Sequence, residues 1–301
     1  MIPTHATRRT LLVGSFAAGL AIATKAITLP QIAGTSGGRT GYAPAGGLKQ
    51  YYEIHGAGDP LILLHGGFGS TASFADLVPF FAKTRQVITV DLQAHGRTAD
   101  IDRPLTCEAM ADDIAALMTY LQIAKADLLG YSLGAAVALQ TAIRHPAMLR
   151  KLVIVSEPFS RAGWYPEVRT AMDNMGPALA EQMKPSPLYK TYASVAPRPE
   201  DWTSLVSKLS VLIKVDYDWS KEVAALKIPT LLVVGDADAV RPAHVVEFFA
   251  LLGGGQKDAG WDGSGMPTSH LAVLPGATHY TMLESPFLPQ VVAWFLDLPH
   301  K

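Results

Sequence analysis

The feature that most constrains this chain is a stretch near its middle, Asp127 to Leu139, where an apolar run passes through Gly-Tyr-Ser-Leu-Gly into small apolar residues. The run before Gly130 predicts a buried strand, and the alanine-rich run after Gly134 predicts a helix. A sharp strand-to-helix turn of this kind exposes the hydroxyl of Ser132 at its apex. Glycine and serine are common in turns, so a nucleophilic role for Ser132 requires an acid and a histidine later in the chain.

The rest of the chain predicts a sheet on which such a turn can sit. Short apolar runs, from Leu61–Leu64 to Leu271–Leu274, alternate with segments of helical periodicity. Strands that are buried on both faces and separated by helices are typical of a parallel sheet. Gln50–His55 predicts an edge strand, and Thr106 predicts the N-cap of a helix. The predicted fold class is therefore α/β, with a mostly parallel central sheet flanked by helices.

Composition and charge narrow the range of partners. The 301 residues are 49% hydrophobic and suffice for one sizeable core that carries an inserted segment. The net charge is -1 and no basic stripe is present, so we expect no nucleic-acid partner. The single cysteine, Cys107, excludes an internal disulfide, and we expect it to be a buried side chain at a helix start rather than a rival nucleophile. No Cys/His cluster has metal-ligand spacing, so we expect no metal and no cofactor.

The first residues resemble a targeting segment. Arg8 and Arg9 precede an apolar run from Val13 to Ala23, which is shorter than the roughly 20 residues that span a bilayer. The pattern predicts an export signal of the twin-arginine type over residues 1–26, with contact to the membrane only during export and a periplasmic or secreted product. The alternative is an ordinary helix that stays attached. Residues 27–46 are rich in Gly, Pro, Ser and Thr and predict a flexible linker.

A long segment near the middle of the chain interrupts the alternation of strands and helices. Residues 158–227 predict short amphipathic helices broken by prolines, whereas 47–157 and 228–301 predict the α/β core. An insertion at the carboxyl end of a strand is a candidate lid, because ligands of open α/β sheets bind at that edge. Its aromatic side chains line an apolar pocket or form a small core of their own. The candidate pocket residues are Phe68, Tyr131, Trp164 and Tyr165.

Candidates for the acid and the base follow Ser132 in the chain. Asp236 and Asp238 come directly after a predicted strand, and His279 follows the last one. The hydroxyl of a nucleophilic serine needs a neutral imidazole to take its proton, and a carboxylate then orients that imidazole. One of the two aspartates is the acid, and the other is a loop residue or a helix cap. We expect His95, in a loop nearer the amino terminus, to be structural because His279 fits the role of the base better.

A glycine-rich loop, His65 to Ser70, follows the strand Leu61–Leu64. Such a loop can turn a backbone N–H group toward a reacting oxygen, although it can also be a tight turn without chemistry. We expect the N–H groups of Leu133 and Gly67 to form an oxyanion hole, with Phe68 as the less favoured candidate.

Taken together, the motifs of residues 47–301 resemble those of the α/β-hydrolase superfamily, in the group of capped esterases, lactonases and carbon–carbon hydrolases. The matching motifs are His65-Gly66-Gly67-Phe68-Gly69, Gly130-Tyr131-Ser132-Leu133-Gly134, Gly235-x-x-Asp238-x-x-x-Pro242, and Gly276-x-x-His279 with Glu284-x-Pro286. The resemblance implies an α/β-hydrolase fold with a helical cap and places the acid at Asp238. Ala94 stands where this family usually has glycine. The serine nucleophile disfavours haloalkane dehalogenases and epoxide hydrolases, which use aspartate at that position.

The resemblance and the motifs predict a serine hydrolase that cleaves an ester or lactone of a small organic substrate through an acyl-enzyme. Hydrolysis of a carbon–carbon bond in a ring-cleavage product is the alternative on the same three residues, and haloperoxidase or perhydrolase activity is a further one. A ligand-binding protein with a vestigial site is the non-enzymatic alternative. The sequence does not separate the substrates, because their choice depends on the inserted segment.

Overall fold

An eight-stranded sheet forms the centre of the part of the chain that the computed structural model describes, residues 38–299. Its strands are β1 (Arg39–Ala45), β2 (Leu48–His55), β3 (Asp59–Leu64), β4 (Arg85–Val90), β5 (Ala126–Tyr131), β6 (Leu149–Val155), β7 (Thr230–Ala237) and β8 (His270–Thr278). They lie in the order β1-β2-β4-β3-β5-β6-β7-β8. β1 and β2 pair antiparallel with their neighbours, and the pairs from β4 to β8 are all parallel.

Helices cover both faces of this sheet. They are α1 (Leu77–Phe81), α2 (Cys107–Tyr120), α3 (Leu133–Arg144), α4 (Pro166–Asn174), α5 (Leu179–Met183), α6 (Pro187–Val195), α7 (Trp202–Leu212), α8 (Ser220–Ala225), α9 (Pro242–Leu251) and α10 (Leu288–Asp297). Successive residues of a strand face opposite sides, so β3 sends Leu61 and Leu63 into a core under α1 and α10. Its residues Ile62 and Leu64 enter a second core, under α2, α3 and α9. This architecture confirms the predicted α/β-hydrolase fold.

The amino-terminal edge of the sheet differs from the prediction. Residues 39–45, assigned to the flexible linker, form β1, and Ala43 is fully buried. Gly46 and Gly47 both have positive φ (54° and 86°), the conformation that a two-residue hairpin turn requires. Because β1 pairs outside β2, the predicted strand Gln50–His55 lies inside the sheet and is not an edge. The small and polar residues of β1 do not predict a strand from sequence, and β1 forms because it pairs with β2.

The chain between β6 and β7 contains the five helices α4 to α8 and no strand. Trp202, at the start of α7, is 1% exposed, and its indole N–H donates to the carbonyl of Ala180 at 2.9 Å. The rings of Tyr189, Tyr192 and Phe68 pack around Trp202, with centroids 5.2–5.4 Å away. Part of the aromatic set therefore forms a small core of the insertion itself.

Two further expectations concern membranes and metals. None of the helices within residues 38–299 is long and apolar enough to cross a bilayer. The same residues contain no cluster of three or more His, Cys, Asp or Glu side chains suited to a metal ion. The predicted export signal, residues 1–26, and the linker up to residue 37 lie outside the described residues, so export stays a prediction.

Candidate active site

The turn between β5 and α3 carries Ser132 in a strained conformation, with φ 52° and ψ −124°. Its backbone N–H donates to the carbonyl of Val155 on β6 at 2.9 Å, which ties the turn to the neighbouring strand. A Cβ atom on Gly130 would lie 2.1 Å from the carbonyl oxygen of Gly134, and one on Gly134 would lie 2.2 Å from that of Leu64. Glycine is thus required on both sides of Ser132, because the helix begins in contact with the strands.

Ser132 lies at one end of a chain of hydrogen-bonded side chains. The Nε2 atom of His279, which directly follows β8, is 3.1 Å from Oγ of Ser132. The Nδ1 atom of His279 is 3.1 Å from Oδ1 of Asp238, just beyond β7. An ionised carboxylate only accepts hydrogen bonds, so Nδ1 carries the proton of a neutral imidazole and Nε2 is free to accept one. This is the geometry that activates a serine hydroxyl.

The Asp238 carboxylate is buried and receives several donors. The hydroxyl of Ser156 donates to Oδ2 at 2.6 Å, and the N–H group of Gly235 donates to the same oxygen at 3.1 Å. The N–H group of Val240 is 3.3 Å from Oδ1. Burial favours the neutral form of Asp238, but the hydrogen bonds from His279 and Ser156 hold its pKa below the usual value. The group beside the imidazole is therefore a carboxylate at neutral pH.

The second aspartate of this loop has a different environment. Asp236 is exposed and accepts a hydrogen bond from the N–H group of Gly276 at 2.9 Å, which links the loops after β7 and β8. The N-cap of α9 is Arg241, without a side-chain hydrogen bond, so neither aspartate caps that helix. Of the two candidates, only Asp238 contacts the imidazole of His279.

The glycine-rich loop after β3 packs against the nucleophile. A Cβ atom on Gly66 would lie 3.4 Å from Cβ of Ser132. The N–H groups of Gly67, Phe68 and Leu133 donate to no other group within residues 38–299. Gly67, Phe68 and Leu133 line the same cavity as Ser132. The two expected donors and the less favoured one are thus all unpaired beside the serine, available for an oxyanion.

Ser132 and His279 open into a cavity of about 370 Å³. Most of its walls are apolar, among them Leu105, Val168, Met172, Met175, Leu209 and Leu212. Two of the predicted pocket residues, Phe68 and Trp164, line it. None of the lining residues in the described part of the chain is a lysine or an arginine.

The other two predicted pocket residues, Tyr131 and Tyr165, do not line this cavity. The hydroxyl of Tyr131 donates to the carbonyl of His279 at 2.5 Å, so Tyr131 holds the loop that carries the imidazole. Tyr165 directly follows Trp164 in the chain, but of this pair only Trp164 lines the cavity.

Two residues of the site were missed by the sequence analysis. Ser156 and Glu157 directly follow β6, and the first binds Asp238 while the second lines the cavity with only 7% exposure. A usable signal was present, since polar residues at the carboxyl end of a buried parallel strand lie at the same edge as Ser132. The predicted insertion begins at residue 158, directly after these two positions.

The rival histidine, His95, is fully buried behind the glycine-rich loop and does not line the cavity. Its Nδ1 atom is 2.8 Å from the carbonyl of Gln93, and its ring packs 5.1 Å from that of His65. Burial lowers the pKa of His95 to about 4 and that of His65 to about 3, so both rings are neutral. The loop around them is closed by Asp91, which accepts the N–H group of Arg97 at 2.7 Å.

The structure also explains two other features of the sequence: Ala94, which stands where the family usually has glycine, and Cys107, the alternative nucleophile. Ala94 adopts φ 65°, so it takes the left-handed conformation that glycine favours and keeps the course of the loop. Cys107 is the first residue of α2, whose N-cap Thr106 accepts the N–H group of Ala109 at 3.1 Å, as predicted. Burial raises the pKa of the Cys107 thiol, which makes it a poor nucleophile although it borders the cavity.

A sheet of this topology, with serine, carboxylate and histidine beyond β5, β7 and β8, is the framework of a large class of hydrolases. The chain belongs to the alpha/beta hydrolase family, whose sequence profile matches residues 61–289. It is an enzyme of the hydrolase class, as predicted, and several of its relatives carry hydrolase names.

Two curated relatives and one solved structure illustrate the range of these similarities. "Putative carbamate hydrolase RutD" of Azorhizobium caulinodans is 26% identical over 225 residues, which cover 69% of this chain and 84% of that protein. The 2-hydroxymuconate semialdehyde hydrolase of Pseudomonas sp. strain CF600 is 34% identical over 115 residues, covering 37% of this chain and 41% of that protein. The crystal structure of E-2-(acetamidomethylene)succinate hydrolase superposes with a TM-score of 0.68 at 19% identity, over 87% of this chain and all of that one. This last likeness concerns the fold alone.

Proposed function

We propose that the protein is a serine hydrolase that cleaves an ester or lactone bond of a small, uncharged organic substrate. The observation that carries this proposal is the hydrogen-bonded series Ser132–His279–Asp238, with both links at 3.1 Å, at the mouth of an apolar cavity. A serine hydroxyl, a neutral imidazole and a buried carboxylate in this order form a nucleophile, a general base and its orienting group.

In the first half of the reaction, Oγ of Ser132 attacks the carbonyl carbon of the ester while Nε2 of His279 takes its proton. The carboxylate of Asp238 stabilises the imidazolium that forms. The negative charge passes to the carbonyl oxygen, where the N–H groups of Leu133 and Gly67, or Phe68, donate to it. One donor of this kind contributes about 3 kcal/mol to transition-state stabilisation. Collapse of the intermediate expels the alkoxide, which receives the proton from Nε2, and leaves an acyl group on Ser132.

In the second half, water replaces the alcohol. Nε2 of His279 takes a proton from the water as its oxygen attacks the acyl carbonyl, and the same two N–H groups hold the second oxyanion. Expulsion of Oγ, which recovers its proton from Nε2, releases the acid and restores Ser132. In a lactone the alcohol and the acid belong to one molecule, so the product is a hydroxy acid.

The walls of the cavity support a substrate that is small and uncharged. A volume of about 370 Å³ lies near the lower end of the range for small-molecule sites. The absence of lysine and arginine among its described lining residues leaves no cation to neutralise a substrate carboxylate.

We propose in addition that residues 158–227 act as a cap that determines which substrates enter. Trp164, Tyr217 and Trp219, all from this segment, line the cavity together with Ser132. The helices α4 and α7 contribute further apolar walls through Met172 and Leu209 in the same way.

A second candidate is hydrolysis of a carbon–carbon bond on the same three residues. It is favoured by the similarity to 2-hydroxymuconate semialdehyde hydrolase, which is limited to 41% of that protein. The RutD relative suggests a carbamate as a third acyl substrate. Both would use the same nucleophile, so only turnover separates them from esters.

The test is a panel of p-nitrophenyl esters, aliphatic lactones, carbamates and vinylogous diketones, each assayed with the wild-type protein and with Ser132→Ala. We expect turnover of esters or lactones and a loss of about 10⁴-fold or more in kcat for Ser132→Ala, because the three residues act as a unit. A fluorophosphonate should label Ser132. Turnover restricted to diketones would select the second candidate, and full activity in Ser132→Ala would overturn the mechanism.

A further inference from the structure

A carboxyl group inside the cavity has no role in the mechanism above. Glu157 follows β6, lines the cavity and is only 7% exposed. Glu108, the other acid on the wall, is exposed instead. A buried carboxyl group in apolar surroundings is costly unless hydrogen bonds satisfy it, so its partners indicate what the site is built to hold.

One oxygen of Glu157 is already occupied. The indole N–H of Trp164 donates to the hydroxyl oxygen of Tyr217 at 3.3 Å, and that hydroxyl donates to Oε1 of Glu157 at 2.9 Å. An indole can only donate, so the hydroxyl of Tyr217 accepts from it and sends its own proton to Glu157. The direction of this series is therefore fixed, and it holds the carboxyl group in one orientation.

The second oxygen, Oε2, has no hydrogen-bond partner within residues 38–299. Burial raises the pKa of Glu157 well above its usual value, and the nearby Asp238 carboxylate raises it further, whereas the Tyr217 hydroxyl lowers it. Among the described residues, no lysine or arginine lines the cavity beside Glu157. Burial therefore favours the protonated form of the carboxyl group, in which it has one O–H donor to offer.

We propose that Glu157 is a specificity-determining residue that donates a hydrogen bond from its free oxygen to a second oxygen of the substrate, a ketone or hydroxyl oxygen outside the bond that is cleaved. This inference rests on the proposed esterase or lactonase activity and names its substrate class: an oxygenated, uncharged acyl compound. The apolar walls contact the carbon skeleton of the substrate, and the hydrogen bond from Glu157 selects substrates with an additional oxygen at the matching position.

Charged substrates fit this site less well. A substrate carboxylate would enter an apolar cavity near the Asp238 carboxylate, whose charge already raises the pKa of Glu157, and the described lining residues include no lysine or arginine to neutralise it. An ammonium group would require Glu157 to ionise while buried, and the ionised form receives a single hydrogen bond, from Tyr217. A neutral acceptor such as a ketone oxygen requires neither an unpaired charge in the cavity nor the ionisation of Glu157.

The test compares matched p-nitrophenyl esters. The parent is the hexanoate, and its partners carry a ketone on carbon 4 or carbon 5 of the chain or an ammonium group on carbon 6. We expect the wild-type protein to prefer one keto ester over the parent in kcat/KM by about three- to tenfold, the value of one neutral hydrogen bond. A preference for the ammonium ester, or none for either keto ester, would overturn the proposal.

Two variants assign this preference to the carboxyl group. Glu157→Gln keeps a donor and an acceptor and should retain most of the ratio, whereas Glu157→Leu should abolish it. Because each variant is judged by the ratio of its kcat/KM values for the keto ester and the parent ester, a general loss of activity that affects both esters equally cancels. If Glu157→Leu does not fold, Glu157→Met, which is flexible and fills a similar volume, replaces it. If the apolar variant has the same ratio of kcat/KM between keto ester and parent as wild type, the inference about Glu157 is wrong. That outcome would not contradict the proposed ester hydrolysis.

A spectroscopic measurement tests the contact without turnover. A 13C-labelled methyl ketone bound to Ser132→Ala should show its carbonyl stretch at lower frequency than it does bound to Ser132→Ala with Glu157→Leu, because a hydrogen bond weakens the carbonyl bond. Equal frequencies would refute the contact even if the protein hydrolysed esters. A wild-type protein that cleaves neither esters nor lactones would instead refute the proposed function, and the frequency shift would still decide the role of Glu157.

Discussion

Ser156 donates a hydrogen bond of 2.6 Å to Oδ2 of Asp238, while His279 binds the other oxygen of the same carboxylate. Ser156 has a positive φ of 56°, and its N–H group donates to the carbonyl of Val233 on β7 at 2.9 Å. The strained backbone directs the hydroxyl toward Asp238. Ser156 is therefore a positioning residue, since it fixes the carboxylate without facing the serine.

Replacing Ser156 by alanine should weaken this arrangement without removing it. We expect Ser156→Ala to lower kcat by roughly 10- to 100-fold, because a hydrogen bond to a charged group contributes about 1.5–3 kcal/mol. The pKa of Asp238 should rise, since that bond helps to hold it down. The matched control is Ser210→Ala, because its buried hydroxyl bonds the carbonyl of Ser207 inside α7. A kcat equal to that of wild type in Ser156→Ala would refute the positioning role.

The two aspartates of the loop after β7 offer a paired test of the acid. Asp238→Asn should lower kcat by roughly 10³–10⁴, because an amide in this place allows the wrong imidazole tautomer. Asp236→Asn keeps an acceptor for the N–H group of Gly276 and lies in solvent, so its activity should stay within about twofold of wild type. The measurement is kcat of both variants and of wild type on the same activated ester. A comparable loss in both variants would indicate a disturbed loop rather than a specific acid.

The pair Ser132 and His279, whose Oγ and Nε2 atoms lie 3.1 Å apart, could be predicted because each residue belongs to a local sequence pattern. Ser132 lies in a strand–turn–helix pattern, and His279 follows the last buried strand. The choice between Asp236 and Asp238 could not be made from spacing alone, since both follow the same strand and only packing decides which one turns inward. The family resemblance pointed to Asp238, which is the aspartate that contacts His279.

The sequence predictions were wrong where the structure of a segment or the direction of a side chain depends on residues far away in the chain. β1 has small and polar residues, and its burial comes from pairing with β2 and packing on α2. Tyr131 was assigned to the pocket as a neighbour of Ser132, but its hydroxyl bonds the loop of His279, 148 residues away in sequence. The contact between Glu157 and Tyr217 could not be predicted, because Tyr217 is 60 residues further along the chain. Side-chain direction in these cases is a tertiary property.

The close contact between α3 and β3 predicts a sharp difference between two glycines. In Gly134→Ala the new Cβ atom would lie 2.2 Å from the carbonyl oxygen of Leu64, so the helix must move, and we expect a loss of about 3 kcal/mol or more in the free energy of unfolding. Gly176 has no atom within 4 Å of its Cβ direction, and Gly176→Ala should be neutral or stabilising by up to about 1 kcal/mol. Urea denaturation measures both. A mild effect of Gly134→Ala would show that the turn can relax.

The buried histidine behind the glycine-rich loop makes stability depend on pH. Burial lowers the pKa of His95 to about 4, whereas an unfolded histidine titrates near 6.5. Between these values the unfolded chain binds the extra proton, so this group lowers the free energy of unfolding as the pH falls. Asp91 acts in the opposite direction, because burial raises its pKa to about 6 and the folded chain takes up its proton first.

His95→Gln should therefore change the slope of stability against pH as well as its level. Wild type should lose up to about 1.4 kcal/mol per pH unit from this one group between pH 6 and pH 4.5, and the variant should have a shallower slope by that amount. Asp91→Asn should have a steeper slope, because it removes the group that stabilises the fold on acidification. Urea midpoints converted to free energies at four pH values give the three slopes. Parallel curves for wild type and His95→Gln would mean that His95 titrates normally and that its burial does not hold it neutral.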